Sequence, residues 1–430
     1  MNVSDSERIS TTLARDGFEM TPDESLADVV IINTCSVREK AEHKLYTRVG
    51  RVRHASVGKK PVIGVMGCVA QLEGETLFNK IEGVDFVLGT RAVGRVSNAV
   101  HETLSGHRGF LDVGEREDDY DWTVADTHRH SAYVAFLPII EGCNKFCTYC
   151  IVPFSRGRER SFDASEIVRQ VGELLSKGVR EVHLIGQNVN SYRPPTDTGL
   201  EGFKGKSAFS RLLRAVAATG MERIKFTTSF PRDFGDDIVT AIEDLDNLCN
   251  WVHLPVQSGS DRVLKLMKRG HTMEKYLQKI DRLRSSSRDI ALTTDIIVGF
   301  PGETDQDFED TVKMVEYCGF DMAYIFKYSP RYGTPAFEMQ DSVSAAEKTL
   351  RFIELERVQK AIQNKRLQRY LNKVLKVLVE GRSSRTESGL TGHSTCHKVV
   401  NFRGDADSLG KIVDIRVTEI KANSLFGELQ

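Results

Sequence analysis

The chain has 430 residues, with 59 Lys and Arg against 60 Asp and Glu, for a formal net charge of −1. No global positive field draws it to nucleic acid, so any basic surface has to be local. Hydrophobic content of 40% and charged content of 28% fit a globular protein, and the length exceeds that of one typical domain.

No apolar run reaches the length needed to cross a bilayer, and the opening residues do not read as a signal peptide. Eight cysteines, several clustered, fit a reducing compartment where thiols bind metal, so a cytoplasmic location with no membrane contact is expected.

Residues 1–108 alternate strand and helix signals. Helices are expected at 4–13, 37–53, 70–81 and 92–104, and strands at 27–33, 62–67 and 84–88. Continuous apolar strands between helices argue for a parallel α/β sheet. Cys35 follows the first strand and Cys68 ends the second, so both fall on the carboxyl rim, where such sheets bind ligands. Two buried thiols and a second metal-binding site both remain open on pattern alone. From Arg38 to Lys60 eight basic residues face two acidic ones, which suits a solvated helix face or a phosphate-contacting one. An acidic stretch from Gly114 to Asp126 reads as a linker.

Residues 129–366 repeat a strand–helix unit six times. The strands are expected at 133–140, 181–185, 223–228, 251–256, 290–298 and 322–328. Helices are expected at 164–177, 208–219, 235–246, 259–285, 305–318 and 345–366. Asp163 with Glu166 and Ser344 with Glu347 read as N-terminal capping pairs. Six units make a partial (β/α)6 barrel, since eight would close it. Polar and glycine residues end the strands: Gly186-Gln187-Asn188, Ser229 with Arg232, Gln257-Ser258, and the turn from Gly299 to Glu303. Barrel enzymes place their active sites on that face.

Residues 367–430 carry short β-branched runs between Gly and Ser turns, as in a small antiparallel β-barrel. From Arg366 onward eleven basic residues outnumber seven acidic ones. Cys249, Cys318 and Cys396 stand alone and read as structural or incidental.

Three further cysteines crowd Glu141-Gly142-Cys143-Asn144-Lys145-Phe146-Cys147-Thr148-Tyr149-Cys150 in a C-x3-C-x2-C spacing. Zinc would want a fourth Cys or His at matching spacing, and none lies near. Three thiolates suit an iron–sulfur cluster with one iron left open for a ligand. A disulfide pair with a free thiol, or a lone zinc site, are the bland alternatives.

With its continuation through Phe154-Ser155-Arg156-Gly157-Arg158-Glu159-Arg160, this text resembles the radical S-adenosylmethionine (SAM) methylthiotransferases, and within them the MiaB type that modifies tRNA. The C-terminal segment is similar to the TRAM module, an RNA-binding barrel. The resemblance implies an enzyme with three domains: 1–108 for an auxiliary cluster, 129–366 for radical SAM chemistry, and 367–430 for RNA. It implies two 4Fe–4S clusters. Cys143, Cys147 and Cys150 would hold the catalytic one.

Cys35 and Cys68, in Asn33-Thr34-Cys35 and Met66-Gly67-Cys68, match two of the three ligands of the auxiliary one. The third family cysteine is absent from this chain, which opens at the text following it, so the auxiliary cluster is expected to assemble poorly here. Gly186, Gln187, Asn188, Gln257, Ser258, Gly299 and Glu303 become candidates for contacting SAM.

The implied reaction uses two SAM molecules and converts N6-isopentenyl-adenosine beside the anticodon to its 2-methylthio form. The partners implied are a tRNA anticodon stem-loop, a reducing electron donor and a sulfur donor. Sister enzymes acting on threonylcarbamoyl-adenosine or a ribosomal-protein aspartate, and a non-catalytic iron–sulfur RNA-binding protein, are the alternatives. Ser36-Val37-Arg38-Glu39-Lys40 favours the tRNA type.

Overall fold

The computed structural model describes residues 1–35, 39–55, 60–114, 124, 128–383 and 389–430, without the side chains of 39–43 and 55. Most of the expected acidic linker and the Ser36–Arg38 text lie outside the described residues. The chain divides into two compact units. One comprises residues 1–130, 141–144 and 150–159; the other comprises 131–140, 145–149 and 160–430.

The first unit is built on a parallel sheet, β1 (Val29–Thr34), β2 (Val62–Gly67), β3 (Phe86–Leu88) and β4 (Phe110–Asp112), in that order. Its helices are α1 (Asn2–Arg15), α2 (Glu39–Ala55), α3 (Cys68–Glu73), α4 (Thr76–Lys80), α5 (Val96–Leu104) and α6 (Val152–Arg156). Leu45, Val49 and Val52 of α2 pack on Ile63 and Val65, while Ile9, Leu13, Val96 and Val100 pack on Phe86 and Met66. The strands are apolar on both faces because both faces are covered by helices. The single helix expected at 70–81 is two, interrupted at Gly74, whose φ of +52° only glycine adopts cheaply. Strand β4 was not expected, and its pairing with β3 carries the sheet past residue 108.

In the second unit all six expected strands form: β5 (Val134–Pro138), then, beyond the two-residue segments β6 (Ile140–Glu141) and β7 (Arg160–Ser161), β8 (Glu181–Ile185), β9 (Arg223–Phe226), β10 (Trp251–His253), β11 (Ala291–Val298) and β12 (Met322–Lys327). They pair in parallel as two three-stranded sheets, β5-β8-β9 and β10-β11-β12. Where β9 gives way to β10, Ser229 N donates to His253 O at 3.2 Å.

The helices are α7 (Ala164–Ser176), α8 (Ala208–Ala217), α9 (Asp236–Asp244), α10 (Asp261–Leu266), α11 (Met273–Arg284), α12 (Asp305–Cys318) and α13 (Ala345–Leu367). Ser344 caps α13 as expected, whereas Asp163 precedes α7 without a side-chain cap, and Glu166 pairs with Arg169 instead. The helix expected at 259–285 is broken between α10 and α11, where Lys268 and Gly270 take positive φ.

Five strands close the C-terminal barrel in the order β13 (Val374–Arg382), β14 (Gly389–Ser394), β15 (Val399–Arg403), β17 (Leu425–Leu429), β16 (Ile412–Ile420). All pairs are antiparallel except β15–β17, which is parallel. Strand β14 escaped the sequence reading because glycines dilute it. Gly392 is needed there, since a Cβ would lie 1.9 Å from the carbonyl oxygen of Leu378.

Trp251 and Ala291, at the amino ends of β10 and β11, share one core with Val377, Phe402 and Leu425 of this barrel. Arg223 donates to the carbonyls of His393 at 2.8 Å and Ser394 at 3.0 Å, so the barrel is seated on the strands' amino ends. The opposite, carboxyl face holds the polar turns.

Candidate functional site

In the first unit, Thr34 pairs with Gly67 at the ends of β1 and β2. Cys35 and Cys68 are the next residues, so the register brings both onto one rim, as the strand pattern predicted. Gly67 has φ +93°, and a Cβ there would meet Asn33 Oδ1 at 2.4 Å and the Thr34 carbonyl at 2.6 Å. The close apposition of the two strand ends therefore requires glycine. A cavity of about 730 Å³ opens at this rim, lined by Asn2, Thr34, Cys35, Lys44, Arg48 and Arg51. Arg48 is already paired with Glu24 at 3.0 Å. Arg53, from the same basic stretch, turns inward to Asp85 at 3.2 Å.

Cys143 and Cys150 also belong to this unit. Cys143 N donates to Gly157 O at 3.1 Å, and Glu159 N to Asn144 Oδ1 at 3.1 Å. Gly142 has φ +74°, and its missing Cβ would lie 2.1 Å from the Arg158 carbonyl. The segment after the cysteines thus braces the segment that opens them. Arg156 is not solvated. Its guanidinium is buried and donates to Asp5 and, at 3.3 Å, to Glu141. Burial alone would raise the Asp5 carboxyl, but the charge of Arg156 outweighs it and holds it below the usual carboxylate range. Burial pushes Glu141 up. Arg158 and Arg160 are exposed.

In the second unit, residues 145–149 carry Cys147, which is 6% exposed. Arg269 donates to its Sγ at 3.4 Å from the break between α10 and α11. The same guanidinium donates to Pro255 O at 2.7 Å and lies 4.4 Å over the Phe230 ring. Lys145 pairs with Asp233 at 2.7 Å, and Ser191 donates to the same carboxylate at 2.8 Å. Burial would raise Asp233, yet hydrogen bonds from Arg232, Lys145 and Ser191 overcome it and hold it down at about 2. Thr148 Oγ1 donates to Leu266 O at 2.9 Å, and Phe146 turns the chain with φ +48°. Neither Arg269 nor the Lys145–Asp233 pair was singled out in the sequence, because both depend on which loops the barrel brings together.

The remaining candidates stand at the carboxyl ends of the strands. Gly186 follows β8 where a Cβ would meet Ile140 Cγ2 at 2.4 Å. Gln187 Oε1 and Ser229 Oγ are buried with no hydrogen-bond partner among the described residues. Unpaired buried oxygens of this kind fit a polar ligand that would complete them. Asn188 is buried. Thr228 and Gln257 take φ of +71° and +82°, uncommon for non-glycine residues and costly for a β-branched one.

Two candidates are otherwise engaged. Ser258 Oγ is fully buried and accepts from Ser260 N at 3.2 Å. Glu303 accepts from Gly299 N at 2.8 Å and from Arg351 at 2.7 Å, so it holds its own turn together. Gly299 itself, at φ +71°, leaves room for the Lys348 stem.

No disulfide joins the cysteines, all eight of which are described. Among the described residues no three Cys, His, Asp or Glu side chains close around a single ion. Burial raises Cys249 to about 11 and Cys318 to about 12, so both stay protonated, in keeping with a structural role.

Three family models match in chain order: the uncharacterized protein family UPF0004 over residues 1–89, the radical SAM superfamily over 137–315, and the TRAM domain over 368–430. The chain is 41% identical over 433 residues to the tRNA-2-methylthio-N(6)-dimethylallyladenosine synthase of Photobacterium profundum, covering 100% of this chain and 90% of that one. It is 40% identical to the synthase of the same name from Clostridium tetani, covering 100% and 94%. Among solved structures, the radical S-adenosylmethionine methyltransferase TsrM from Kitasatospora setae, with tryptophan and a SAM analog bound, aligns at a TM-score of 0.57. It is 13% identical, over 78% of this chain and 72% of that one, which is a likeness of fold. Among the described residues no helix is long and apolar enough to cross a membrane.

Proposed function

The chain belongs to the family of the tRNA-2-methylthio-N(6)-dimethylallyladenosine synthases, and from that premise we propose that it converts N6-isopentenyl-adenosine beside a tRNA anticodon to its 2-methylthio derivative. The observation that carries the reading is the full-length match at about 40% identity to relatives of that name, together with the radical SAM and TRAM matches. The relatives' names favour this substrate over threonylcarbamoyl-adenosine or a protein aspartate.

Cys143, Cys147 and Cys150 would hold the radical SAM cluster, and Cys35 and Cys68 would supply two ligands of an auxiliary one. A cluster held there would supply the electron for reductive cleavage of the sulfur–C5′ bond of SAM, giving methionine and a 5′-deoxyadenosyl radical. The chain's own residues set the conditions. Arg269 faces Cys147 with a fixed positive charge. Lys145 with Asp233 before Cys147, and Thr148 after it, hold the backbone on both sides of the second cysteine. Gly186 leaves room at the end of β8, and the unpartnered oxygens of Gln187 and Ser229 offer polar contacts to SAM, with Asn188 beside them. Gln257 is placed on the same rim by its left-handed backbone. Ser258, Gly299 and Glu303 shape the turns and act on a ligand only through them.

The base has to leave its stack to reach such a pocket. The C-terminal barrel, matching the TRAM model, would grip the RNA outside it. Anaerobic incubation with SAM, a reductant and an isopentenyl-adenosine stem-loop tests the reading. Deoxyadenosine formation that disappears in Cys143→Ala, Cys147→Ala and Cys150→Ala supports it. Full activity in any of the three refutes the assignment.

A further inference from the structure

We propose that Tyr332 is a stacking platform for an unpaired nucleobase of the RNA, beside the pocket that takes the target base. The inference rests on the RNA substrate proposed above.

Tyr332 lies in the turn that follows β12, on the carboxyl face of the barrel. It is 85% exposed, the highest value among the exposed large hydrophobic residues that are described. Its ring is held edge-on to Phe337, with centroids 5.6 Å apart and planes at 79°. Phe337 is itself 40% exposed. The turn beneath them is rigid. Thr334 donates through both N, at 3.1 Å, and Oγ1, at 2.7 Å, to Arg331 O. Tyr328 Oη donates to Ala336 O at 2.8 Å. Ala336 N in turn donates to Thr148 O at 2.8 Å, which ties the turn directly to the residue after Cys147. Phe146, on the other side of Cys147, is 54% exposed. Tyr332, Phe337 and Phe146 thus present aromatic faces on segments tied to the residues flanking Cys147.

Exposed aromatics fixed on a rigid turn cost solvation and gain nothing inside the fold, so their use lies in what covers them. The two rings offer a few hundred Å² at most, well short of the roughly 800 Å² per partner of a stable protein interface. One base has a flat face of matching size, and stacking on aromatic rings is how unpaired bases are held without regard to sequence. Arg331 adjoins Tyr332 in the chain and adds a cation for the neighbouring backbone. Unstacking the target base leaves its neighbour without a stacking partner, and Tyr332 supplies one.

The test is an anisotropy titration of the full chain with a fluorescent anticodon stem-loop, repeated at several salt concentrations. Loss of one stacked base predicts that Tyr332→Ala weakens binding by roughly 5- to 150-fold. The slope of log affinity against log salt should stay unchanged, since no phosphate contact is lost. Tyr332→Phe should bind within about twofold of the unmodified chain, because the ring face and not the hydroxyl is used. SAM cleavage without RNA should be the same in all three.

Unchanged affinity in Tyr332→Ala overturns the proposal. So does a shallower salt slope, or a loss in Tyr332→Phe as large as in Tyr332→Ala. Failure of the unmodified chain to bind the stem-loop would instead count against the proposed function itself.

Discussion

Replacing Arg156 by Met removes the guanidinium that pairs with both Asp5 and Glu141. Asp5 and Glu141 are 4% and 6% exposed, so water cannot take the place of the guanidinium. Breaking one side of a buried ion pair costs about 3–5 kcal/mol, because a charge is left buried and unpaired. A domain has about 5–15 kcal/mol in all. The loss falls on α1 and on the segment that opens the cysteine run.

Hydrogen exchange of the α1 amides reads it directly, and at 1.4 kcal/mol per factor of ten the expected acceleration is roughly 10²- to 10³·⁵-fold. The sign of the pH dependence should also reverse. In the native chain Asp5 is held below its unfolded value, so its contribution is present above that value and is lost as pH falls. In the variant the largest opposing charge is gone and burial works against only the weaker pulls of the N-terminal amine and Arg8, so the deficit grows as pH rises through the carboxylate range. Adding Asp5→Asn should restore much of the protection. Exchange within threefold of the native rate, or a double variant no better than the single, would refute the reasoning.

Lys225 is buried beneath the barrel floor, 4.2 Å over the Trp251 ring, and burial lowers it to about 8. The unfolded chain then binds more protons between about pH 8 and 10.5, so native stability should rise across that window and lie flat below it. The excess stability of Lys225→Met over the native chain should therefore shrink over the same window in urea titrations, and a constant difference would contradict the burial argument. Deleting residues 368–430 should weaken stem-loop binding and flatten its salt dependence. It should also destabilise the second unit, since Trp251, Ala291 and Arg223 lose their cover; an unchanged melting temperature of the truncated chain would show that the shared core matters little.

What could be read from the sequence followed the strength of the local signal. Continuous apolar runs gave the six barrel strands, and the C-x3-C-x2-C spacing gave the cysteine segment. The three-residue β4 and the glycine-diluted β14 carry no periodic signal, and tertiary pairing makes them. The break at 267–272 was legible in part: Gly270 follows α10, and Thr272 caps α11 by accepting from Lys275 N. A single long amphipathic pattern concealed it, and with it Arg269. Ser258 and Glu303 stand out in the sequence because polar residues at strand ends serve both turns and ligands, and the structure adds the turn partners each one has. The rim shared by Cys35 and Cys68 was readable because parallel register is set by strand ends.

The most direct test of the account places deuterium at C2 of the isopentenyl-adenosine in a stem-loop, with the reconstituted chain, SAM and a reductant under anaerobic conditions. The account predicts deuterium in the 5′-deoxyadenosine, and none formed at all by Cys147→Ala. Deoxyadenosine free of deuterium, with the base still converted, would contradict abstraction at C2.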